Sequence, residues 1–549
     1  MANEYSIMTN RVLSSTWRIA NIKELLASNS SNTLTYFDVN GATCIRTFPE
    51  VYRDALATIS LFKSMGCQML PGRRVAICGA QGYPWLLAAV ACIITGVEIV
   101  AIPELLSDGE IIASLEGLKV DFLASEIKYS TYESFAGLPH IFLDNLCQTI
   151  GKIDPLEESI GTGAFSIVAF TSGSTSSAKL KSFRVSAEST ESFINTFFDS
   201  YHLTHDDNWV ICHPFSHVVH FEYAIGGLCK GYNVTITEPL RIMLSGAQIK
   251  PSVLVTVPSV YEQIVTLIKR KLPSSGLRRA LIDKLFEQLP SDEETRLLAR
   301  DLQRVLMPEI SQLLGDHLKV MIIGAAPSTE ELRRSLVLMG LPVYEGYGMS
   351  ETNMLTSNLP DKYRFGTVGP VWPGAGIRLT DESIIQARVH PVRSRGYLNT
   401  TQEENERTFL LDGWVDTGDF GEIDNGFLRI TGRAKEIIIT DRGKNINPAD
   451  IQLKLRAIEG VEHALVFGNN KPFLVAILAP IHGKVLDPSN VAMAIKVINE
   501  ALPNYEWIRN WLILKYPLTE SGGLLTRSGK PRRAAIEIHY AAELGALYE

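Results

Sequence analysis

Residues 171–179 read Thr-Ser-Gly-Ser-Thr-Ser-Ser-Ala-Lys and follow the apolar run Ile167-Val168-Ala169-Phe170. The hydroxyls of Thr171, Ser172, Ser174 and Thr175, the permissive backbone of Gly173 and the cation of Lys179 suit an anion with several oxygens. A nucleotide polyphosphate fits that chemistry; a solvated Ser/Thr linker is the competing reading. The string approaches the Walker pattern G-x-x-x-x-G-K-[ST]. Ala178 replaces the second glycine, and Leu180 replaces the hydroxyl that would hold Mg²⁺. If this loop grips ATP, the metal must be held elsewhere.

Three later clusters offer the missing chemistry. Glu345-Gly-Tyr-Gly-Met-Ser-Glu-Thr352 follows a strand-like run, and its Ser350 and Glu351 present a hydroxyl and a carboxylate together. That pair suits Mg²⁺ on a triphosphate, and Tyr347 can stack on a base; a capped turn is the alternative. Asp416-Thr-Gly-Asp419 and Gly432-Arg433-Ala-Lys435 come next. A turn aspartate accepts both hydrogens of a ribose diol, and an arginine fork meets phosphate or ribose oxygens, though aspartate in a turn is commonplace. Finally, Leu525–Arg533 is basic and turns at Gly529. Lys530 can reach an oxyanion from outside the main domain, unless the segment is only a solvated tail.

The elements that must position these residues alternate between helix and strand. Glu50–Met65 has helical apolar spacing with Gly66 as its cap, and Arg74–Cys78 reads as a strand. The most apolar stretch, Trp85–Pro103, reads as a buried helix to about Thr95, a turn, and a strand Ile99–Ile102, with no integral membrane segment. Strands are expected again at Ser252–Val257, Lys319–Ile323 and Leu341–Tyr344. This alternation predicts an α/β fold with mostly parallel sheets. Tyr261–His317 reads as a charged helical layer, with a capping box at Ser291–Glu294 and an apolar face of Leu298, Leu302 and Val305. Beyond about residue 375, short strands and glycine turns take over: Ile377–Thr380, Gly413–Val415, Phe427–Thr431 and Glu436–Thr440. Asn447 caps a helix with Pro448 at its first position, and strands follow at Ala464–Gly468 and Phe473–Leu478. The boundary falls near Arg433–Lys435, leaving a small α/β domain beyond it.

Bulk properties narrow the partners. A chain of 549 residues implies more than one domain. A net charge of −8 argues against a general nucleic-acid binder. Cys44, Cys67, Cys78, Cys92, Cys147, Cys212 and Cys229 form no C-x-x-C pair, and read as reduced core residues of a cytoplasmic protein. Met1–Asn10 is polar and lacks the apolar stretch of a signal peptide.

The order of the clusters is more specific than any one. Thr171–Lys179, His213-Pro-Phe-Ser-His217, Gly324-Ala-Ala-Pro327, Tyr347–Thr352, Thr417-Gly-Asp419, Gly432–Lys435 and Gly529-Lys530 resemble the series in adenylate-forming enzymes. That superfamily comprises acyl-CoA synthetases, peptide-synthetase adenylation domains and luciferases. The resemblance runs from about Thr47 to the C-terminus and looks closest to fatty acyl-CoA synthetases. Gly324–Pro327, the helical insert before it, Val257-Pro-Ser-Val-Tyr261 and Gly443-Lys-Asn-Ile446 point there.

The resemblance implies a large, multi-subdomain N-terminal unit over 1–434 holding ATP and the acyl pocket. A small mobile C-terminal unit over 435–549 would carry the catalytic lysine. A carboxylate, from a medium or long apolar acid, attacks ATP to give acyl-AMP; a thiol of CoA then displaces AMP. By the same resemblance Lys530 drives adenylation, and Thr171–Lys179 holds the β- and γ-phosphates. Ser350 and Glu351 serve phosphate and Mg²⁺, with Glu351 the metal ligand. Asp419 holds the ribose with help from Arg433. Glu345, Gly346, Tyr347 and Gly348, with Ala325, Ala326 and Pro327, flank the adenine. His217 stands at the acyl-pocket mouth. Val218, Gly226, Gly227, Gly324 and Met349 line the substrate side, and Lys435 is the hinge.

Departures from the family pattern bear on the acceptor. Ser176 and Ala178 stand where relatives carry glycine and proline, and Arg442 stands where many CoA synthetases carry a second glycine beside Gly443. Arg-Gly-Lys-Asn is similar to a string of fatty acyl-AMP ligases, so a phosphopantetheine carrier protein is the alternative acceptor. A non-catalytic acyl- or nucleotide-binding scaffold is the alternative of another class.

Overall fold

A computed structural model describes residues 17–104, 106–115, 117–130, 132, 137–155, 165–171, 180–287, 300–303, 305–326, 328–519, 521–525 and 529–549. The phosphate-loop residues Ser172–Lys179, Pro327, Leu298 and the capping box at Ser291–Glu294 lie outside the described residues.

Among the described residues two large sheets form the N-terminal part. One has eight strands in the order Asn353–Ser357, Val343–Met349, Val320–Ile323, Val253–Thr256, Asn208–Ile211, Asn233–Ile236, Thr33–Phe37 and Thr43–Thr47. Its interior pairings are parallel, and only the two outermost are antiparallel. The other has six strands: His140–Phe142, Phe122–Ser125, Arg74–Cys78, Glu98–Ile102, Ile167–Phe170 and Ser182–Val185. It too is parallel except at the last pair. Continuously apolar strands such as Ile167–Phe170 and Val320–Ile323 are buried along their whole length, as strands covered on both faces must be.

Local signals explain the connecting helices. Thr47 and Glu50 close a capping box that starts Phe48–Ser64, with the Thr47 amide 2.7 Å from the Glu50 carboxylate. Tyr83–Thr95 is buried at every residue but Pro84, and ends where Gly96 takes φ +72°. Trp85 on that helix meets Phe215 and Phe221, at ring separations of 5.1 and 5.2 Å. All seven cysteines are free thiols.

From Ala375 onward the strands are short and the pairing changes, as the glycine turns predict. Ala375–Leu379, Ile384–Val389, Val415–Asp424 and Phe427–Arg433 make an antiparallel sheet. The C-terminal domain has sheets of its own: the pair Ile438–Ile439 and Asn445–Ile446, and the trio Val461–Phe467, Leu474–Pro480 and Ile508–Ile513. Its apolar residues form separate cores around Ile451, Leu455 and Val466 and around Phe467, Leu524 and Ile536. Asn447 caps Pro448–Arg456 by accepting from the Ala449 amide at 3.1 Å.

Two details add to or differ from the expectation. Leu302 and Val305 lie on the solvent side of their helix, 40% and 77% exposed, while Gln303 and Met307 are buried. Helical spacing defines a face but not the direction in which it points. The strand expected at Glu436–Thr440 shrinks to Ile438–Ile439, because Ala434–Glu436 forms a 3₁₀ turn. No helix among the described residues is long and apolar enough to cross a membrane.

Candidate active site

Parallel strands deliver their carboxyl ends to one edge of the eight-stranded sheet. Ligands of open α/β sheets bind in the crevice outside those ends. Asn208–Ile211 leads to His213 and His217, Val253–Thr256 ends beside them, Val320–Ile323 leads to Gly324–Ala326, and Val343–Met349 leads to Ser350 and Glu351. The adjacency is direct: His213 Nε2 lies 2.6 Å from Thr256 Oγ1. Ala325 takes φ +62°, a left-handed conformation that is uncommon away from glycine. A Cβ on Gly348 would lie 2.1 Å from the Asn353 carbonyl oxygen, so only glycine fits where Val343–Met349 turns back.

Tyr347, Asp419 and Arg433 form one network. The Tyr347 phenol donates to Asp419 Oδ2 at 2.7 Å, and Arg433 Nε donates to Asp419 Oδ1 at 2.6 Å. The turn itself is set by the Thr417 hydroxyl, which accepts from the Asp419 amide at 3.1 Å. A buried carboxylate beside a phenol ring is suited to a ribose diol and a stacked base.

Lys530 enters from the C-terminal domain. Its ammonium donates to the Ala325 carbonyl. Burial first, and then the charge of Arg433, push its pKa down to about 8. His217 immediately precedes Val218–Gly226, and burial followed by the Lys530 charge lowers its pKa. Burial also takes His213 down to about 4 and holds His220 well below the usual range. His213 and His220 are therefore neutral at neutral pH. Glu345 moves the other way, up to about 7, because burial outweighs the Arg333 guanidinium 3.5 Å away.

Two tethers hold the turn at Ser350–Glu351. Arg393 Nε donates to the Ser350 carbonyl at 2.7 Å. The Tyr397 phenol donates to Glu351 Oε1 at 2.6 Å. Glu351 is a largely buried hard-oxygen donor, which suits a Mg²⁺ ion that completes its shell with phosphate oxygens and water.

The loop at 171–181 joins antiparallel neighbours, Ile167–Phe170 and Ser182–Val185. Its described ends are closed by the Thr171 amide on the Lys181 carbonyl at 2.9 Å. Asn399 clamps the outgoing end, donating to the Leu180 carbonyl at 2.7 Å and accepting from the Ser182 amide at 2.8 Å.

Not every expected residue lines this crevice in the same way. Gly226 and Gly227 are buried where a Cβ would strike Tyr232 and Val234, so close helix–strand packing demands glycine there. Lys435 is exposed in the Ala434–Glu436 turn between the antiparallel sheet and the C-terminal domain. Val218 is buried, while Met349, Ser350 and Gly324 are half-buried along the edge.

The comparisons with known proteins fit this geometry. Residues 29–389 match the family described as AMP-binding enzyme, and residues 435–549 match the AMP-binding enzyme C-terminal domain. The chain belongs to the AMP-binding enzyme family. A long-chain-fatty-acid–CoA ligase of Mycobacterium bovis is 28% identical over 567 residues, covering 92% of each chain. One of Rattus norvegicus is 30% identical over 286 residues, covering 48% of this chain and 40% of its own. Among solved structures, O-succinylbenzoate coenzyme A synthetase of Bacillus subtilis in complex with AMP superposes with a TM-score of 0.72 at 20% identity, over 94% of this chain and 97% of the other. ATP-bound MatB of Rhodopseudomonas palustris gives 0.73 at 20% identity, over 95% and 99%. These likenesses establish the fold of this AMP-binding enzyme as that of adenylate-forming enzymes.

Four further residues of this AMP-binding enzyme escape a reading of the sequence: Glu222, Arg393, Tyr397 and Asn399. Arg393 and Glu222 are 1% and 0% exposed and pair through two contacts of 2.6 and 3.0 Å. Nothing in the local sequence joins them; only the fold does. Asn399 follows a glycine turn and resembles any loop asparagine until its three backbone partners are known.

Proposed function

We propose that this chain is an ATP-dependent acid–thiol ligase that activates a medium- or long-chain apolar carboxylic acid and passes it to coenzyme A. The carboxylate oxygen attacks the α-phosphorus of ATP, forming acyl-AMP and releasing pyrophosphate. The thiol sulfur then attacks the acyl carbonyl, forming the thioester and releasing AMP, with the thiol proton lost to solvent. The first step brings two anions together, so fixed cations lower its barrier.

The observation that carries the reading is Lys530. This lysine of the C-terminal domain reaches the Ala325 carbonyl, beside His217 and Arg433, at the edge where the parallel strands end. In this reading its ammonium offsets charge between the carboxylate and the α-phosphate. Asp419 accepts the ribose hydroxyls and Arg433 assists. Tyr347, Glu345, Gly346, Gly348 and Ala325–Pro327 enclose the adenine, and Thr171–Lys179 holds the outer phosphates. Glu351 and Ser350 would hold Mg²⁺, which when bound offsets phosphate charge. His217, with Val218 and Met349, faces the acid. The names of the fatty-acid–CoA ligase relatives support the apolar acid and the coenzyme A acceptor.

The two units, 1–434 and 435–549, alternate about Lys435, so that Lys530 leaves once acyl-AMP has formed. The exposed position of Lys435, in the turn that joins the two units, supports this. One feature favours a second acceptor. Arg442 is exposed in the turn where Gly443 takes φ +71°, and with Lys444 it makes a basic tip suited to an acidic carrier protein.

Acid-dependent exchange of labelled pyrophosphate into ATP tests the first step, across acids of graded chain length. Thioester formation with coenzyme A or a holo-carrier protein tests the second. Exchange with no acid refutes the ligase reading, and thioester on the carrier alone refutes coenzyme A.

A further inference from the structure

The segment from Arg393 to Asn399 runs against the turn that carries Ser350 and Glu351. Arg393 fixes the backbone of that turn through the Ser350 carbonyl, and Tyr397 fixes its side chain through Glu351 Oε1. Leu398 and Asn399 then bind Ser182, with the Leu398 amide 2.7 Å from the Ser182 carbonyl and the Ser182 amide 2.8 Å from Asn399 Oδ1. One short strap thus ties the carboxylate turn to the strand that leaves the loop at 171–181.

Tyr397 is itself immobilised. Its amide donates to Asn405 Oδ1 at 2.7 Å, and its carbonyl accepts from Asn405 Nδ2 at 2.9 Å. Its ring meets the edge of Phe409 at 5.1 Å, and the Lys181 ammonium lies 4.8 Å from its centroid. The backbone bridges to Phe183. A glutamate has three rotatable side-chain bonds, and an untethered one loses conformational freedom when it binds a cation. A fixed donor on Oε1 removes that freedom beforehand and leaves Oε2, which accepts no hydrogen bond among the described residues, for a ligand.

We propose that Tyr397 is a positioning residue that aims the Glu351 carboxylate at the divalent cation accompanying ATP. The inference rests on the assignment of Glu351 above and adds the group that orients it. Partners that orient a metal ligand are worth about 10–100-fold in metal affinity or activity.

The test is Tyr397→Phe, which deletes one oxygen and keeps the Phe409, Phe183 and Lys181 contacts. Calorimetry of a non-hydrolysable ATP analogue, with Mg²⁺ and with EDTA, gives the gain in affinity due to the metal. That gain should fall about tenfold in the variant, with the EDTA affinity and the melting temperature unchanged. Pyrophosphate exchange should need a correspondingly higher Mg²⁺ concentration for half-maximal rate. An unchanged gain overturns the proposal, as does an equal loss with and without Mg²⁺, or a wild-type chain with no gain at all. A wild-type chain that shows the gain but exchanges pyrophosphate with no acid leaves Tyr397 assigned and refutes the adenylation reading instead.

Discussion

The pair Arg393–Glu222 permits a prediction with a worked magnitude. Both side chains are buried, and Glu222 is saturated: it accepts two bonds from Arg393, one from the Thr190 hydroxyl at 2.6 Å and one from Asn353 Nδ2 at 3.0 Å. Arg393→Met removes two of these and strips the donor from the Ser350 carbonyl, leaving a carboxylate buried without a cation. Breaking one side of such a pair costs about 3–5 kcal/mol, whereas replacing both sides is often close to neutral. Glu222→Gln keeps the shape and an acceptor for Thr190, and alone leaves Arg393 unpaired. Either single substitution should therefore destabilise the N-terminal part by about 3–5 kcal/mol, and the double variant by much less than the sum. Equilibrium urea unfolding, followed by near-ultraviolet circular dichroism of the buried Trp209 and Trp372, reads both quantities. A cost below about 1 kcal/mol for Arg393→Met, or additive single costs, would refute the reasoning.

Lys530→Ala should nearly abolish pyrophosphate exchange yet spare thioester formation from preformed acyl-AMP; equal losses in both half-reactions would contradict a lysine that leaves after the first step. The pH profile follows from the same residue. Its charged form does the work, and that form is lost as pH rises through its pKa of about 8. In the exchange assay kcat/KM, which reports the free enzyme, should fall above about pH 8, while kcat falls at higher pH because bound ATP stabilises the ammonium. A kcat/KM flat to pH 10 would refute this. Asp419→Ala should weaken ATP binding about tenfold, through loss of hydrogen bonds to a charged acceptor and release of Arg433, and unchanged calorimetric affinity would sink the ribose assignment.

Much of this fold is legible locally. The buried helix at Trp85, the Gly96 stop, the Asn447 cap and the strand Arg74–Cys78 each follow from neighbouring residues. The antiparallel edges, such as Thr43–Thr47 on Thr33–Phe37, do not, because pairing direction depends on where the chain returns. The direction in which the Leu302 and Val305 face points is not legible either, for the same reason: periodicity is local and burial is not. At the site, the residues proposed to meet ligands sit in dense motifs of glycine, hydroxyl and charge, which a reading of the sequence singles out. Glu222, Arg393, Tyr397 and Asn399 are ordinary residues in ordinary neighbourhoods, and they matter through contacts across long sequence separations.

The antiparallel pairing of the strands on either side of residues 171–181 has a consequence for protein engineering. In a Walker loop the chain passes from strand into helix, and the helix N-terminus adds its partial positive charge to the phosphate cradle. Here the strands that flank the loop, Ile167–Phe170 and Ser182–Val185, pair antiparallel, and among the described residues the next helix, Ala187–Ser200, follows Ser182–Val185. Completing the consensus string with Ala178→Gly and Leu180→Ser would therefore not create a Walker site. The spelling would be right, but the loop would still run between antiparallel strands, and Leu180 would lose its place on the apolar cluster around Val168 and Phe170.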